Sequence, residues 1–193
     1  MNARDRIVRT AYDLFTREGV RPVGVDRVIA QAGVAKMTLY RHFRSKEDLA
    51  LAVLELRQQL WTVDWLMEEV ERRGGTAGER LLSVFDAFDD WFRRRDYEGC
   101  FFTSSLLESH DRDSAIGAAS SLGLAGVRSF LRSLAEEAGV DDPDNVARQW
   151  QILMIGSIVA ALDGDLDAAT RSREVAAFLL GRKSTASKRS RRS

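Results

Sequence analysis

Residues 28–49 read VIAQAGVAKMTLYRHFRSKEDL, and this stretch decides the fold of the chain. Apolar residues recur at helical spacing in two short runs, Val25–Ala32 and Lys36–Phe43, which are separated by Gly33. Two short helices joined by a tight turn that contains glycine form the helix-turn-helix pattern. Ser45 then occupies the position of an N-cap residue at the start of a long fourth helix.

The second of these short helices has one apolar side and one polar side. Leu39 and Phe43 are four residues apart and are expected to pack inward together with Val34. The outward side then has the polar character of a helix that reads base edges in the major groove. Tyr40 carries a hydroxyl group that can donate to a phosphate oxygen. Lys46 opens the fourth helix, where its ammonium group and the free backbone N–H groups can hold a phosphate.

The rest of the chain is also helical by its pattern. Only Pro22 and Pro143 interrupt it as prolines, and residues that favour helix dominate. We therefore predict an all-α fold. Gly117, Gly123 and Gly126 disfavour helix, so the sequence does not define where the helix within Asp113–Gly139 begins. The predicted helices are Ala3–Glu18, Val25–Ala32, Lys36–Phe43, a long helix from Ser45 to about Gly74, Thr76–Arg95, Gly99–Ser109, Asp113–Gly139, Asp144–Asp163 and Asp167–Gly181.

Charge is segregated along a chain whose formal net charge is zero. Residues 1–46 contain ten basic and four acidic residues, whereas residues 47–181 contain 13 basic and 25 acidic residues. Residues 182–193 add six basic residues without apolar periodicity, which predicts a disordered basic tail. Basic residues at 1–46 and 182–193, with an excess of acidic residues between them, favour a polyanionic partner that binds at one end of the protein only. Ordinary solvated surface is the plainer interpretation of the same charges.

The composition is that of a protein from a reducing compartment. Cys100 is the single cysteine, so an intramolecular disulfide is excluded. The N-terminus lacks the apolar segment of a signal peptide. The longest apolar stretch, Ile152–Leu162, is shorter than the ~20 residues that span a bilayer. A cytoplasmic location without a membrane span is expected.

The opening stretch resembles the DNA-binding helix-turn-helix of TetR-type regulators. That family pattern combines an apolar pair with Ala-Gly-Val, Thr-Leu-Tyr-x-His-Phe and Ser-Lys-Glu-x-Leu. The matching positions are Ala32, Gly33, Val34, Thr38, Leu39, Tyr40, His42, Phe43, Ser45, Lys46, Glu47 and Leu49. The resemblance implies a three-helix DNA-binding domain over residues 1–47. It further implies a helical effector-binding and dimerisation domain over residues 48–181, ahead of the tail at 182–193.

By this resemblance the second short helix contacts double-stranded operator DNA. The expected DNA-binding residues are Lys36, Met37, Thr38, Tyr40, Arg41, His42 and Lys46. Arg41 has the fork of donors that can form a bidentate pair with guanine. Plainer alternatives stay open at three positions: a packing histidine at His42, an exposed side chain without base contact at Met37, and a core aromatic residue at Tyr40.

The stretch from Trp150 to Leu162 is apolar on all sides, which indicates burial on all sides. One side is expected to pack on its own domain and the other on a second subunit. The resemblance implies the same arrangement, a homodimer formed through the last two long helices. The expected interface residues are Trp150, Leu153, Gly156, Ser157, Ala160, Ala161 and Phe178. The alternative is the central helix of a monomeric bundle.

Aromatic residues are frequent in the middle of the chain, where they are typical of a core as well as of a pocket. By resemblance, TetR-type regulators hold an apolar inducer cavity among their central helices. The expected lining residues, for an apolar or aromatic effector of unknown identity, are Trp61, Trp65, Phe88, Trp91, Phe102 and Met154.

An enzyme is the main rival class. Ser109, His110 and Asp111 have the residue types of a catalytic triad, but consecutive residues point in different directions and cannot form the relay. Two histidines and one cysteine provide no cluster of metal ligands, so no cofactor is expected. Three further alternatives stay open: a transcriptional activator, a regulator that senses redox state through Cys100, and a general nucleic-acid-binding or scaffold protein.

Overall fold

A computed structural model describes residues 2–181 of the chain. This range consists of helices and their connections and contains no β-strand, which confirms the all-α prediction. None of the described helices combines the length and the apolar character needed to cross a membrane. The basic tail predicted at 182–193 lies outside the described residues. The helices are α1 (Ala3–Glu18), α2 (Val25–Ala32), α3 (Lys36–His42), α4 (Lys46–Arg57), α5 (Glu68–Arg73), α6 (Ala77–Phe92), α7 (Phe101–Ser109), α8 (Ala115–Glu137), α9 (Pro143–Leu162) and α10 (Ala168–Gly181).

The helix ends follow from local capping residues. Ser45 accepts a hydrogen bond from the N–H of Asp48 at 3.0 Å, as its predicted N-cap position requires. Thr76 forms a reciprocal capping box at the start of α6. Gly19 and Gly33 end α1 and α2 with positive φ angles, a conformation that glycine adopts without strain. These local signals explain why the predicted bounds of α1 and α2 are confirmed residue for residue.

The predicted long fourth helix is continuous but not regular. Residues Gln58–Met67 join α4 to α5 through π-helical turns, which are wider than those of an α-helix. The segment contains neither proline nor glycine, so its sequence carries no breaker that could have predicted the change. The helix ends at Gly74, whose φ is 66°, at the predicted place.

By packing, the described residues form two compact units. Unit 1 comprises the residues up to Trp65 together with Glu98–Gly126. Unit 2 comprises Leu66–Tyr97 together with the described residues from Val127 onward. The predicted domain boundary between residues 47 and 48 was drawn by function. It does not coincide with a boundary between the two compact units, and it stays a prediction.

The core of unit 1 is built mainly from α1 to α4 and α7. Leu39 and Phe43 are buried in it, which confirms the inward side predicted for the second short helix. Its buried members include Ile7, Ala11, Leu14, Phe15, Val28, Leu39, Phe43, Leu49, Val53, Phe101 and Phe102. Removal of these side chains from water is what holds the short helices α2 and α3 in place.

Two glycines bring α8 close to its neighbours in unit 1. A Cβ atom at Gly123 would lie 2.4 Å from the ring of Phe102. A Cβ atom at Gly126 would lie 2.8 Å from the side-chain amide nitrogen of Gln58. From the sequence, these glycines obscured where the helix begins. The structure shows that α8 is continuous through both positions and that both allow close packing.

The core of unit 2 is aromatic and centres on Trp150. The indole N–H of Trp150 donates to the carbonyl oxygen of Leu81 at 2.9 Å, and its ring centroid lies 6.2 Å from that of Phe85. The hydroxyl of Tyr97 donates to the carbonyl oxygen of Ile158 at 2.7 Å. The indole of Trp150 and the hydroxyl of Tyr97 therefore each have a hydrogen-bond partner within unit 2.

Three predicted interface residues lie in this core instead of on a free surface. Trp150, Ser157 and Ala161 are buried in unit 2. The hydroxyl of Ser157 donates to the carbonyl oxygen of Met154 at 2.8 Å, as expected of a polar group removed from water. The buried side of α9 therefore packs on its own chain, and these three residues are not accessible to a second subunit.

An exposed apolar face lies on the other side of α9 and on α10. Ile152 is 70% exposed and Phe178 is 65% exposed. We name the α9–α10 face by its exposed members Ile152, Gly156, Val159, Leu162, Val175 and Phe178. Among the other predicted interface residues, Leu153 and Ala160 are half-buried. Four of the seven predicted interface residues thus keep solvent-accessible surface.

Replacement of Gly123 by alanine should lower the free energy of unfolding by about 1–3 kcal/mol, because the added methyl group overpacks against the Phe102 ring. The control is Gly78→Ala in α6, where a Cβ atom meets nothing within 4 Å. That variant should keep or raise stability, by up to ~1 kcal/mol, because alanine favours helix over glycine. Denaturant unfolding followed by circular dichroism measures both. Equal stabilities would contradict the close approach of α8 to Phe102.

Candidate nucleic-acid interface

The turn between α2 and α3 is set by Gly33. Its φ of 62° and ψ of 44° lie in the left-handed region, which glycine occupies without a steric penalty. The N–H groups of Gly33 and Val34 donate to the carbonyl oxygens of Ala30 and Ile29, each at 3.3 Å. These bonds cap the end of α2 and direct the chain into α3.

Packing leaves one side of α3 in solvent. Leu39 and Phe43 are buried, whereas Met37 is 86% exposed and Tyr40 is 46% exposed. Lys36, Arg41 and His42 are also exposed, and Thr38 is half-buried. The structure therefore brings the predicted DNA-binding residues of α3 together on its accessible side.

Two of the plainer alternatives do not fit this arrangement. The ring of His42 is exposed and lies 6.4 Å from the ring of Phe43, so His42 is not a buried packing histidine. Tyr40 is too exposed to be a core aromatic residue. Met37 is exposed, so its side chain is accessible to a DNA partner.

Acidic residues partly neutralise the basic side chains around α3. The Nζ atom of Lys36 lies 3.4 Å from Oδ1 of Asp26, and both side chains are largely exposed. Arg27 binds Glu18 through two hydrogen bonds of 2.5 and 2.7 Å, which lower the pKa of the Glu18 carboxyl. Arg41 has no such acidic partner within residues 2–181. Exposed pairs are weak, so a phosphate can displace Asp26 from Lys36.

Lys46 is anchored by the protein itself. Its ammonium group donates to the carbonyl oxygen of Arg21 at 2.9 Å, in the connection between α1 and α2. Partial burial lowers the pKa of Lys46, while the nearby carboxylate of Glu108 acts in the opposite direction. An ammonium group has three donors, so Lys46 can hold this connection and still offer a donor to a phosphate.

Glu108 of α7 binds the same connection through the backbone. Its Oε2 atom accepts the N–H of Val20 at 2.9 Å, and its Oε1 atom accepts the N–H of Arg21 at 2.6 Å. One carboxylate therefore satisfies two successive N–H groups that precede α2. Sequence reasoning missed Glu108 because its partners lie 88 and 87 residues away and no local pattern marks it.

Arg57 of α4 is a second residue that the sequence did not reveal. It is almost fully buried, and its Nη1 atom donates to the hydroxyl of Tyr12 at 2.9 Å and to Glu98 at 2.8 Å. Its Nη2 atom donates to the carbonyl oxygen of Gly99 at 3.2 Å, and the Trp61 ring lies 5.2 Å from its guanidinium carbon. A buried cation is tolerated only when it is paired in this way. The network ties α1 to α4 and to the segment that leads into α7.

A groove of about 1030 Å³ opens within unit 1 among α1, α4, α7 and α8, and we refer to it as the α1–α4–α8 groove. Its apolar lining includes Val8, Leu51, Ala52, Leu56, Phe102, Ala119 and Leu122. Its charged lining consists of Arg4, Asp5, Arg9 and Glu55.

Only one of the six predicted pocket residues lines this groove, namely Phe102. The rings of Trp61 and Trp65 lie 5.3 Å apart, and Trp61 packs on the buried Arg57. Phe88, Trp91 and Met154 are buried in unit 2. Five of the predicted residues are thus core or stacking residues rather than lining residues of the groove, because aromatic spacing along a helix does not distinguish these roles.

Within the part of the chain that the structure describes, Ser109, His110 and Asp111 do not form a catalytic relay. The hydroxyl of Ser109 donates to the carbonyl oxygen of Leu106 at 2.8 Å, and it lies next to His110 in the chain without a bond to its ring. Among residues 2–181, no group of three or more His, Cys, Asp or Glu residues is placed to hold a metal ion. Cys100 is half-buried at the N-cap of α7 and packs against the core of unit 1.

Comparison with known proteins places this site in a family context. A family model described as bacterial regulatory proteins, tetR family, matches residues 7–53. The HTH-type transcriptional regulator QacR of Staphylococcus aureus is 30% identical over 71 residues, which are 37% of this chain and 38% of QacR. The HTH-type transcriptional regulator YjdC of Escherichia coli is 23% identical over 178 residues, which cover 89% of this chain and 91% of YjdC.

The likeness extends through the whole fold. SCO4454, a TetR-family transcriptional regulator from Streptomyces coelicolor, superposes with a TM-score of 0.82 at 26% identity. The superposition covers 92% of this chain and 94% of that protein. The family model covers α1 to α3 and most of α4, and the alignments with YjdC and SCO4454 extend over the helices that follow.

Replacement of Glu108 by alanine should speed amide hydrogen exchange at Val20 and Arg21 by at least about tenfold, because both N–H groups lose their acceptor. Glu47→Ala is the matched control, since Glu47 is an exposed carboxylate in the first turn of α4. Residue-resolved hydrogen–deuterium exchange measures both variants. Exchange that is unchanged at these two amides would show that Glu108 does not hold the α1–α2 connection.

Proposed function

Because the chain belongs to the TetR family of transcriptional regulators, we propose that it is a repressor that binds a palindromic operator as a homodimer. We further propose that a small molecule controls its affinity for the operator. Family members bind operator DNA and act as dimers, so the residues of this chain have to supply a base-reading surface and a dimer interface. A regulator of this kind acts on DNA inside the cell, so we propose a cytoplasmic location.

The accessible side of α3 is the observation that carries the proposal. Leu39 and Phe43 fill the core, and the opposite side presents exposed side chains of the types that contact DNA. The proposed contacts are Lys36, Met37, Thr38, Tyr40, Arg41, His42 and Lys46. Arg41 is the strongest candidate for base readout, because its guanidinium is exposed and can pair with two acceptors of guanine. Tyr40 and Lys46 are the candidates for phosphate contacts.

The α9–α10 face is the proposed dimer interface. Its large apolar side chains are exposed on two helices that pack against each other. Contiguous exposed apolar surface of this kind marks an interaction site in a folded protein. A twofold dimer presents two copies of α3 to two half-sites, which explains why one short helix suffices for each half-site. Phe178, Gly156, Leu153 and Ala160 remain in the proposed interface.

The same proposal assigns a function to each part of the chain. Residues 1–47 bind DNA, residues 48–181 bind the effector and the partner subunit, and the basic residues 182–193 add attraction to phosphate without sequence preference. An effector releases the operator only when it binds the two conformations of the protein with different affinities. Transcript levels from a promoter that carries the selected site distinguish repression from activation.

Selection of bound fragments from random DNA should return a palindrome. The double variant Tyr40→Ala, Arg41→Ala should then bind that sequence with a loss of about 2–4 kcal/mol, because a base contact and a phosphate contact are both removed. Arg95→Ala, which removes an exposed positive charge in unit 2, is the control and should bind with the affinity of the wild type at the same salt concentration. Fluorescence anisotropy with labelled duplexes gives the affinities.

Undiminished preference of the double variant for the selected duplex would refute the assignment of α3 as the base-reading helix. Recovery of a site without twofold symmetry would refute the proposed dimer while leaving α3 in place.

Replacement of Ile152 by arginine should convert the dimer into monomers, because a charged group in the centre of an apolar interface is desolvated without a partner. Leu107→Arg is the matched control, since Leu107 is a comparably exposed leucine on α7 in unit 1. Sedimentation velocity at several concentrations measures the molar mass of both. A dimeric Ile152→Arg protein would remove the α9–α10 face from the proposal.

A further inference from the structure

The connection between α1 and α2, residues 19–24, is held by a carboxylate from a helix that lies much later in the chain. We propose that Glu108 of α7 is a positioning residue for operator binding, because it fixes this connection and, through it, the ammonium group of Lys46. The inference rests on the proposed function, in which Lys46 contacts a DNA phosphate. All the residues involved belong to unit 1.

The connection is shaped to receive a carboxylate. The N–H groups of Val20 and Arg21 donate to Oε2 and Oε1 of Glu108 at 2.9 and 2.6 Å. Gly19, which precedes them, has a φ of 88°, and a Cβ atom at this position would lie 3.2 Å from Oε1 of Glu108. Successive backbone N–H groups that converge on one anion form an anion-binding concavity. Gly19 therefore serves both the turn and the close approach of the carboxylate.

The place of Glu108 on α7 indicates that its carboxylate serves this contact rather than its own helix. Glu108 is the last residue but one of α7, which ends at Ser109. The C-terminus of a helix carries the negative end of the helix dipole, which disfavours a carboxylate. The last turn reads LLES over residues 106–109, so no basic side chain in that turn offsets the effect. The two bonds from the connection account for the stability of this carboxylate.

Lys46 binds the same peptide from its other side. Its ammonium group donates to the carbonyl oxygen of Arg21 at 2.9 Å, while the N–H of Arg21 donates to Glu108. The opposite charges of Lys46 and Glu108 also attract each other. Arg21 is thus bonded through both of its backbone groups, and its carbonyl oxygen is a fixed acceptor for Lys46. An ammonium group that is already held in place loses less freedom when another of its donors binds a phosphate.

Apolar burial keeps the connection in the fold when the carboxylate is absent. Val20 and Val23 are buried in the core of unit 1. Loss of the Glu108 carboxylate therefore frees the backbone of Arg21 and the ammonium group of Lys46, whereas these apolar contacts stay in place. We expect variants of Glu108 to remain folded and to lose affinity for the operator.

The sign of the effect separates this role from ordinary electrostatics. Glu108→Ala removes a negative charge, which by itself would strengthen binding to DNA. We expect binding of the selected operator to be at least about tenfold weaker, because both N–H groups lose their acceptor and Lys46 loses its fixed position.

Asp113→Ala is the matched control, since it removes one exposed negative charge from the segment that follows α7. This variant should bind the operator at least as tightly as the wild type. Fluorescence anisotropy with the full-length proteins at one salt concentration measures both. Unchanged or tighter operator binding by Glu108→Ala would overturn the proposal.

Glu108→Gln keeps the size of the side chain and removes its charge. The amide oxygen can accept one of the two N–H groups, whereas the amide nitrogen faces the other as a second donor. We expect an affinity between those of the wild type and Glu108→Ala, with an unchanged far-ultraviolet circular dichroism spectrum. Affinity equal to that of the wild type would overturn the proposal even if Glu108→Ala failed to fold.

Salt dependence and a double-mutant cycle test the route through Lys46. Lys46→Ala should lower the slope of log affinity against log salt concentration by about one, since one phosphate contact is lost. Glu108→Ala should lower the slope by a similar amount, and the double variant should bind at most about twofold more weakly than the weaker single variant. A merely structural role would reduce the active fraction without a change of slope. An unchanged slope for Glu108→Ala, together with additive losses, would overturn the proposal.

The outcomes for the inference and for the proposed function are distinct. Failure of the wild type to select any duplex would refute the proposed function itself. If the wild type selects an operator and Lys46→Ala binds it with undiminished affinity, Lys46 is not a phosphate contact, and the inference falls while α3 remains the base-reading helix.

Discussion

Burial of Leu39 and Phe43 is the constraint on which the rest of the structure depends. These two side chains lie one helical turn apart and hold one side of α3 in the core of unit 1. Because α3 has only seven residues, it has no stability of its own, and its orientation comes from this packing. The side that faces away is therefore determined as well, and it carries the exposed residues assigned to DNA contact.

Long-range polar contacts support this packing from outside the helix-turn-helix. Glu108 and Lys46 hold the connection between α1 and α2 through its backbone, and Arg57 ties α1 to α4 through the hydroxyl of Tyr12. Glu108 and Arg57 join elements of the first fifty residues to positions later in the chain, and Lys46 joins the start of α4 to the connection between α1 and α2. The DNA-binding helices thus belong to a larger compact unit that includes α7 and the first part of α8.

The groove follows from the same construction. Because α8 carries glycine where it meets Phe102 and Gln58, it lies close to α4 and α7 and leaves an apolar concavity beside α1. Arg4 of α1 lines that concavity, and its guanidinium also contacts the ring of Phe43 at the end of α3.

The sequence by itself determined the helices and the accessible side of α3. Periodicity and capping residues such as Ser45, Gly19 and Gly33 act over a few residues, so they can be read without a tertiary structure. Even so, the π-helical turns after α4 carried no breaker, and local patterns could not predict them.

Only the tertiary structure decided which apolar side chains are core and which are surface. Trp150 was expected at an interface and Trp91 in a pocket, yet both are buried in unit 2, while Phe102 alone of the expected pocket residues lines the groove. The roles of Glu108 and Arg57 depended on it too, because their partners include residues about 40 to 90 positions away. Helical spacing tells which residues share a side of a helix, but what covers that side is settled by segments distant in the chain.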